Sequence, residues 1–304
     1  MTTPSARFVG EFAALGTAVC WAASSNLFTA AGRRMGSLTL NRLRLVAGAI
    51  LLVTTLWIVK GSPWPTWATA FQIETLALSG LVGFVFGDIY NFRSMVILGP
   101  GRSSLLASTA PLFTVALGWA FLHEKPGPFA LLGLALTLGG VAWVIRSHGF
   151  EDPPHHEGST WMGIVAGILG AAGQAGGLVL SRAAVQSGID PLSGTVIRIV
   201  TSAAAIWMWT LARGEGPRTL AALADRRASL FMLGGTICGP LLGVTLSLLA
   251  LVYIDAGVAA SITAFFPVLA ILIASRFHHE RITTGTILGA LVAVTGVVVL
   301  FLRG

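Results

Sequence analysis

The sequence predicts an all-α, polytopic membrane protein with ten transmembrane helices arranged as two inverted five-helix repeats. Three observations lead to this fold class: an apolar composition, ten hydrophobic windows of membrane-spanning length, and a repeat that relates the two halves of the chain. Of the 304 residues, 55% are hydrophobic and only 10% are charged, and the mean hydropathy is +0.82. Soluble domains carry about 25% charged residues, so this chain has too few charges to cover the outside of a large soluble bundle.

Ten windows of about 20 apolar residues, the length needed to cross the hydrocarbon of a bilayer, run through the chain. They are 9–31, 38–59, 73–95, 102–122, 128–146, 161–183, 192–212, 229–252, 257–277 and 283–302. Within hydrocarbon every backbone N–H and C=O group must be paired, and uniformly apolar windows of this length fit helices rather than barrel strands. No short apolar region with a small-residue cleavage site precedes the first window, so we expect that window to remain as the first helix.

The second half of the chain repeats the first. The run 83–143 aligns with 239–299 at a constant offset of 156 residues and without a gap. The matched pairs are Gly83 with Gly239, Gly87 with Gly243, Gly101 with Gly257, Pro111 with Pro267, His123-Glu124 with His279-Glu280, Gly133 with Gly289, and Gly140 with Gly296. Because each half crosses the membrane an odd number of times, the second half is inverted relative to the first. An inverted repeat is typical of alternating-access transporters.

The repeat predicts three parts: a first five-helix unit at 1–147, a polar linker at 148–160 and a second five-helix unit at 161–304. His155 and His156 in the linker are interpreted as solvated loop residues, because two adjacent imidazoles rarely point at one ion. A second polar stretch at 213–228 is expected to be a surface loop with a short interfacial helix. The two cysteines lack metal or redox spacing, and no phosphate-binding Gly-rich loop is present, so we expect no metal and no other cofactor.

Particular runs of residues carry a resemblance to a known family. The run GDIYNFRSMVILGPGRSSLLASTAPLFT at 87–114, with FLHE at 121–124 and LGGVAWV at 138–144, resembles the EamA-type branch of the drug/metabolite transporter superfamily. The second half repeats the pattern with AASITAFFPVL at 259–269 and HHE at 278–280. The resemblance implies ten helices in two inverted halves, export of small metabolites, often amino acids, and both termini in the cytoplasm.

The distribution of positive charge favours the opposite orientation. Of the 19 Lys and Arg residues, the ones on the predicted terminal side are Arg7, Lys60, Lys125, Arg182 and Arg303. The others lie on or nearer the opposite side, so the positive-inside rule alone would put the termini outside. We follow the resemblance for orientation and expect a multi-pass protein of the inner (cytoplasmic) membrane. The net charge of +7 is expected to face lipid headgroups, and no basic-aromatic pattern for nucleic acid is present.

Two prolines are the candidate hinges. Pro111 and Pro267 fall near the middle of the fourth and ninth windows, and each removes one helix hydrogen bond. A matched pair of kinks at repeat-related positions predicts two gates. The alternative is that each proline only shapes its helix.

Asp88 is the most conspicuous acid, deep in the third window beside Tyr90 and Asn91, and its repeat partner is Val244. An intramembrane carboxylate is costly and normally faces a cavity or a partner. Two roles follow: proton uptake and release, or an ion pair that holds helices together. The candidate partners for that ion pair are Arg42, Arg44 and Arg93.

Arg44 and Arg198 align near the starts of the second and seventh windows, where each could bind a substrate carboxylate or extend to lipid headgroups. Polar groups on the first, fourth, sixth and ninth windows are expected to complete the cavity lining. They are Trp21, Ser25, Asn26, Ser108, Gln174 and Thr263.

These observations predict a secondary active transporter that exports amino acids or similar small metabolites or drugs by alternating access, with proton coupling as an option. The expected partners are a small-molecule substrate, protons and the lipid bilayer. A membrane-embedded, lipid-modifying enzyme is the first alternative, and it would need a compact cluster of His, Asp or Glu at one membrane face, which the sequence lacks. A channel is the second alternative, for which paired kinked helices are less expected.

Overall fold

The computed structural model describes residues 4–122, 127–147, 158–253, 262–277 and 283–302. These residues are almost entirely helical, and no strand occurs among them. The repeat-related pairs His123-Glu124 and His279-Glu280, and the linker histidines His155 and His156, lie outside the described residues.

The first half consists of six helical segments joined by short connections. They are α1 (Pro4–Met35), α2 (Ser37–Lys60), α3 (Ala70–Leu98), α4 (Pro100–Ala107), α5 (Ala110–Leu122) and α6 (Pro128–Ser147). Gly36 alone separates α1 from α2, and Gly99 alone separates α3 from α4, with φ angles of 86° and 85°. Glycine adopts this left-handed conformation without a Cβ clash, so each reversal takes a single residue.

The second half also has six helical segments among the described residues, and one of them, the short helix Gly216–Ala221, has no counterpart in the first half. Its members are α7 (Thr160–Gln186), α8 (Pro191–Ala212), α9 (Gly216–Ala221), α10 (226–253), α11 (Phe266–Phe277) and α12 (Thr284–Leu302). Ser159, Asp190 and Asp225 precede α7, α8 and α10, and each side chain accepts a backbone N–H from the first turn of its helix. These N-caps fix where the helices begin. The short α9 lies in the polar stretch for which the sequence predicted a small helix.

Six helices are long and apolar enough to cross a membrane: α1, α2, α3, α7, α8 and the first 22 residues of α10. The fourth predicted window is divided between α4 and α5, and the ninth lies only partly within the described residues. The fifth and tenth windows contain α6 and α12, whose apolar stretches are shorter. An all-helical membrane protein is therefore confirmed, while the count of ten crossings stays a prediction.

The repeat recurs in the backbone as two π-helical segments. Helix α3 changes from α to π geometry at Leu81–Gly87, and α10 does so at Ile237–Gly243, again at an offset of 156. Pro240 lies inside the second segment, where it lacks the N–H that an α-helix would use. Phe84 has the equivalent position in the first. Such π segments are uncommon and often occur at functional sites.

The two prolines predicted as hinges lie at helix starts rather than at kinks. The chain makes a turn at Ser108–Thr109 and again at 264–265, and new helices begin at Ala110 and Phe266. Pro111 and Pro267 are therefore the second residues of α5 and α11, where a missing N–H costs no hydrogen bond. Since a proline has no N–H to bond to the carbonyl four residues earlier, the helix is interrupted on the N-terminal side of each proline. The gating role stays a prediction.

The two halves contact each other at two equivalent helix crossings. Helix α3 crosses α7 where a Cβ on Gly177 would lie 2.9 Å from the Cα atom of Gly83, and α10 crosses α1 where a Cβ on Gly239 would lie 2.5 Å from Ser24 Oγ. A serine hydroxyl spans each crossing: Ser79 Oγ donates to Gly177 O at 2.6 Å, and Ser24 Oγ donates to Gly235 O at 2.8 Å. Ser79 and Gly235 are again 156 residues apart, so the π segment of each half packs on the first helix of the other.

A third contact between the halves pairs α6 with α12. A Cβ on Gly140 would lie 2.4 Å from Ala293 N, and a Cβ on Gly296 would lie 2.4 Å from Thr137 N. Gly140 and Gly296 are repeat partners, as are Thr137 and Ala293. The two close approaches are therefore equivalent under the repeat. Small residues allow this approach of two membrane helices.

Candidate functional site

Asp88 lies directly after the π segment of α3, and its side chain is buried, with the residue 6% exposed. One carboxylate oxygen forms an ion pair with Arg44 Nη2, and the other accepts a hydrogen bond of 2.6 Å from Gln174 Nε2. Of the three arginines that the sequence offered as partners, the structure pairs Asp88 with Arg44. Arg42 instead forms an ion pair with Glu215.

Side chains from the neighbouring helices donate hydrogen bonds to backbone carbonyl groups of the π segment. Asn41 Nδ2 donates to Phe84 O at 3.2 Å, and Gln174 Nε2 donates to Gly83 O at 3.2 Å. Asn41 Oδ1 in turn accepts from Arg44 Nε at 3.1 Å. The ion pair and the irregular backbone are thus linked in one network, because a buried carbonyl without a partner is unfavourable.

Arg198 from α8 approaches the same π segment from another side. Its guanidinium lies 4.3 Å from the centroid of the Phe84 ring, and the Arg44 guanidinium lies 5.9 Å from that ring. A Cβ on Gly83 would lie only 3.1 Å from Arg198 Nη2, so glycine provides the space for this side chain. The Nε atom of Arg198 is buried, and no described residue accepts a hydrogen bond from it.

One carboxylate therefore lies near two guanidinium groups in the interior of a membrane protein. Arg44 is satisfied by Asp88 and Asn41, whereas Arg198 interacts with Asp88 only through space and with the face of Phe84. A buried cation is normally paired, since the protein interior stabilises charge far less than water. The site has the charge and the donor groups to bind one additional anion at Arg198.

The other predicted lining residues do not hydrogen-bond to Asp88. On α1, the Trp21 ring packs edge-on against Phe266 at 6.1 Å, and Asn26 Nδ2 donates to Ala22 O at 2.9 Å and to Ala270 O at 3.3 Å. Ser25 is buried, and its hydroxyl has no acceptor or donor among the described residues. Trp21 and Asn26 therefore contact α11 rather than Asp88.

Four further predicted residues are also separate from the Asp88 cluster. The Tyr90 ring packs edge-on against Phe86 at 4.9 Å, and the Ser108 hydroxyl donates to Ser104 O of its own helix at 3.2 Å. Asn91 packs on Gly170 of α7, and Thr263 is half-buried beside the turn that precedes α11. A contact between these side chains and a substrate stays a prediction.

Sequence reasoning missed Asn41 and Phe84, which connect the two arginines to the π segment. One signal for Phe84 is present in the sequence, because its repeat partner Pro240 marks the corresponding turn as irregular. Asn41 precedes Arg44 by three residues, the spacing that puts two side chains on one helix face.

Two related helical halves in a membrane protein, with a charged site at their contact, are features that membrane transporters share. A comparison with protein families agrees, because the model of the EamA-like transporter family matches the chain twice, at residues 8–146 and 161–302. The chain therefore belongs to the EamA-like transporter family.

Two further comparisons are consistent with this membership. The chain is 29% identical over 140 residues to an uncharacterized transporter, YvbV, of Bacillus subtilis (strain 168), and the match covers 45% of this chain and 44% of that protein. The match thus spans less than half the length of this curated relative. One solved crystal structure is 15% identical with a TM-score of 0.59, and the alignment covers 98% of this chain and 96% of that one, which shows a shared fold.

Proposed function

We propose that this protein is a secondary active transporter that exports amino acids or similar small metabolites across the inner membrane by alternating access. Membership in a transporter family favours transport over the alternative of a lipid-modifying enzyme. The observation that carries the mechanism is the pair of π segments, Leu81–Gly87 and Ile237–Gly243, at repeat-related positions on opposite halves. In an inverted repeat the two end states arise when the halves exchange conformations, and irregular helix turns are where that exchange requires the least disruption.

In this proposal Arg198 binds the carboxylate of the substrate. Arg198 is half-buried, its buried Nε lacks an acceptor among the described residues, and its charge is not taken up by an ion pair as that of Arg44 is. A planar guanidinium can bind a carboxylate through two parallel hydrogen bonds. The ring of Phe84, which is half-buried beside both arginines, provides apolar surface for the rest of an amphipathic molecule.

The helix interruptions before Pro111 and Pro267 are proposed as the two gates. The turns at 108–109 and 264–265 lie at equivalent positions of the two repeats, so each half has one point where a helix already lacks continuous hydrogen bonding. Bending at such a point breaks fewer backbone hydrogen bonds than bending a regular helix.

The transport proposal is tested with purified protein in liposomes and a panel of labelled amino acids, other carboxylates and uncharged drugs. We expect saturable flux of carboxylate-bearing substrates above that of empty vesicles. Arg198→Gln should lower this flux about 10- to 100-fold, because a hydrogen bond to a charged group is worth about 1.5–3 kcal/mol. The control is Arg213→Gln, which removes an exposed arginine stacked on Trp209 at the end of α8, fifteen residues after Arg198, and it should leave flux unchanged.

Three outcomes would count against the proposal. Folded protein that gives no flux with any compound contradicts transport, and flux that does not saturate favours a channel. Equal loss in Arg198→Gln and Arg213→Gln would remove Arg198 from the binding site.

Proton coupling through Asp88 is the final part of the proposal. If protonation of Asp88 drives transport, Asp88→Asn abolishes the dependence of flux on a pH gradient. If Asp88 serves only as the partner of Arg44, the same variant lowers stability and total flux but leaves the pH dependence intact. A C-terminal reporter fusion that is active only in the cytoplasm or only in the periplasm decides the orientation of the termini.

A further inference from the structure

A second charged region lies apart from the Asp88 cluster. A cavity of about 640 Å³ opens where the end of α1, the start of α2, the middle of α3 and the α9 segment meet. Its charged lining consists of Arg34, Arg42, Arg93 and Arg218, with Glu215 as the acid. We propose that this cavity, the basic vestibule, binds the phosphate group of an anionic ligand.

The ion pairs around the vestibule leave two of its arginines available. Arg42 pairs with Glu215, and Arg34 pairs with Asp225 at 2.7 Å. Arg93 and Arg218 have no carboxylate within salt-bridge distance in the part of the chain that the structure describes. Arg93 Nη2 donates to the thioether sulfur of Met162 at 2.9 Å, which is a weak acceptor that a phosphate oxygen would replace favourably.

The first turn of α2 supplies a second, independent set of donors. The residue before this helix is Gly36, which has no side chain, so the helix has no side-chain cap. Leu38 and Thr39 line the vestibule, and their backbone N–H groups belong to the first turn, which no earlier carbonyl of the helix satisfies. The N-terminus of a 24-residue helix attracts anions through these donors and through the helix dipole.

Arg42 shows that the vestibule is built into the fold and is more than a charged surface. It is 4% exposed, donates to Thr219 Oγ1 at 3.1 Å in addition to its ion pair, and keeps a buried Nε with no acceptor among the described residues. Its charge is offset by Glu215, but its buried Nε adds a hydrogen-bond donor to the lining of the vestibule.

The number of donors favours phosphate over carboxylate. The vestibule is lined by donors from three helices: the start of α2, Arg93 on α3 and Arg218 on α9. A tetrahedral phosphate has oxygens for all three, whereas a planar carboxylate is satisfied by one guanidinium. The volume is also within the range of small-molecule sites, so space remains for the rest of the ligand. The phosphate could belong to a phospholipid headgroup or to a soluble phosphorylated metabolite.

The test measures binding and does not depend on transport. The full chain, purified in an uncharged detergent at low salt, is titrated with inorganic phosphate by calorimetry. We expect Arg93→Gln/Arg218→Gln to weaken phosphate binding at least about tenfold. Arg213→Gln, in the same connection as Arg218 but outside the vestibule, should bind as the wild type does. Arg93→Lys/Arg218→Lys, which keeps both charges, should restore part of the affinity, and thermal unfolding checks that each variant is folded.

A second arm separates the two sources of phosphate. Protein is transferred to phosphatidylcholine nanodiscs with or without phosphatidylglycerol, and retained lipid is counted by native mass spectrometry. Phosphatidylglycerol that the wild type retains and the double glutamine variant loses indicates a headgroup site. Phosphate binding without selective lipid retention indicates a soluble ligand. If the wild type and the double variant behave alike in both arms, the proposal is wrong.

Discussion

Replacing Asp88 by Asn should destabilise the fold more than any single change at its partners. Asparagine keeps the size of the side chain and can still accept the hydrogen bond from Gln174, which is 2.6 Å long. It removes the negative charge beside Arg44, which is 5% exposed, and also the through-space interaction with Arg198. One buried and one half-buried guanidinium group are then left without a counter-charge.

The sizes expected for the single and double variants differ in a way that the structure specifies. Removing one partner of a buried ion pair costs about 3–5 kcal/mol, which we expect for Asp88→Asn. Arg44→Gln should cost less, about 1.5–3 kcal/mol, because Asp88 keeps Gln174 and the nearby charge of Arg198. The double variant leaves only Arg198 uncompensated, so its cost should be clearly smaller than the sum of the two single costs.

The assay is equilibrium unfolding in mixed detergent micelles, followed by helical circular dichroism, with the free energy of unfolding as the result. Gln174→Leu is the matched control, since it removes a neutral partner of Asp88 and leaves the ion pair in place. Two results would refute the reasoning: an Asp88→Asn variant no less stable than Arg44→Gln, or strictly additive costs in the double variant.

Two further predictions concern helix packing and pH. Gly140→Ala should lower the free energy of unfolding by about 1–3 kcal/mol, because the new Cβ would lie 2.4 Å from Ala293 N and the helices must separate. In the same unfolding assay the control Gly139→Ala should leave the free energy of unfolding unchanged, because a Cβ there meets nothing within 4 Å. A hydrogen bond from Arg42 holds the pKa of Glu215 below its usual range. A lowered folded-state pKa means that the contact stabilises the fold above the unfolded-state pKa and is lost as the pH falls through the folded-state value. Hydrogen exchange in α9, corrected for its intrinsic rate, should therefore rise in that acid range, and Glu215→Gln should remove this pH dependence.

The repeat is the feature that the sequence predicted best. The offset of 156 found in the glycines and prolines recurs in the π segments and in the helix interruptions. Glycine and proline act on the backbone within a few residues of themselves, so their pattern can be read along the chain. The prediction of a kink at Pro111 was less accurate, because the preceding residues also turn and a new helix begins.

The candidate site was only partly predictable. The sequence identified Asp88 as a costly acid that needed a cavity or a partner, but it offered three arginines for the ion pair. The sequence placed Gln174 only among the residues expected to line the cavity, and the structure shows that it contacts Asp88 and Gly83 of α3. Which residues meet depends on where two helices cross and how each is rotated about its axis, and neither quantity is local in sequence.

By itself the sequence determined that this protein is helical, lies in a membrane and is built from two related halves. These properties follow from apolar composition, the length of each apolar window and residue spacing, and each of these can be read directly from the sequence. Only the tertiary structure decided that Asp88 forms its ion pair with Arg44, and that Arg198 has a buried Nε without an acceptor among the described residues. It also decided that four arginines line one vestibule. The partners in these contacts come from helices far apart in the chain, and the charge left over at each place results from how those helices pack.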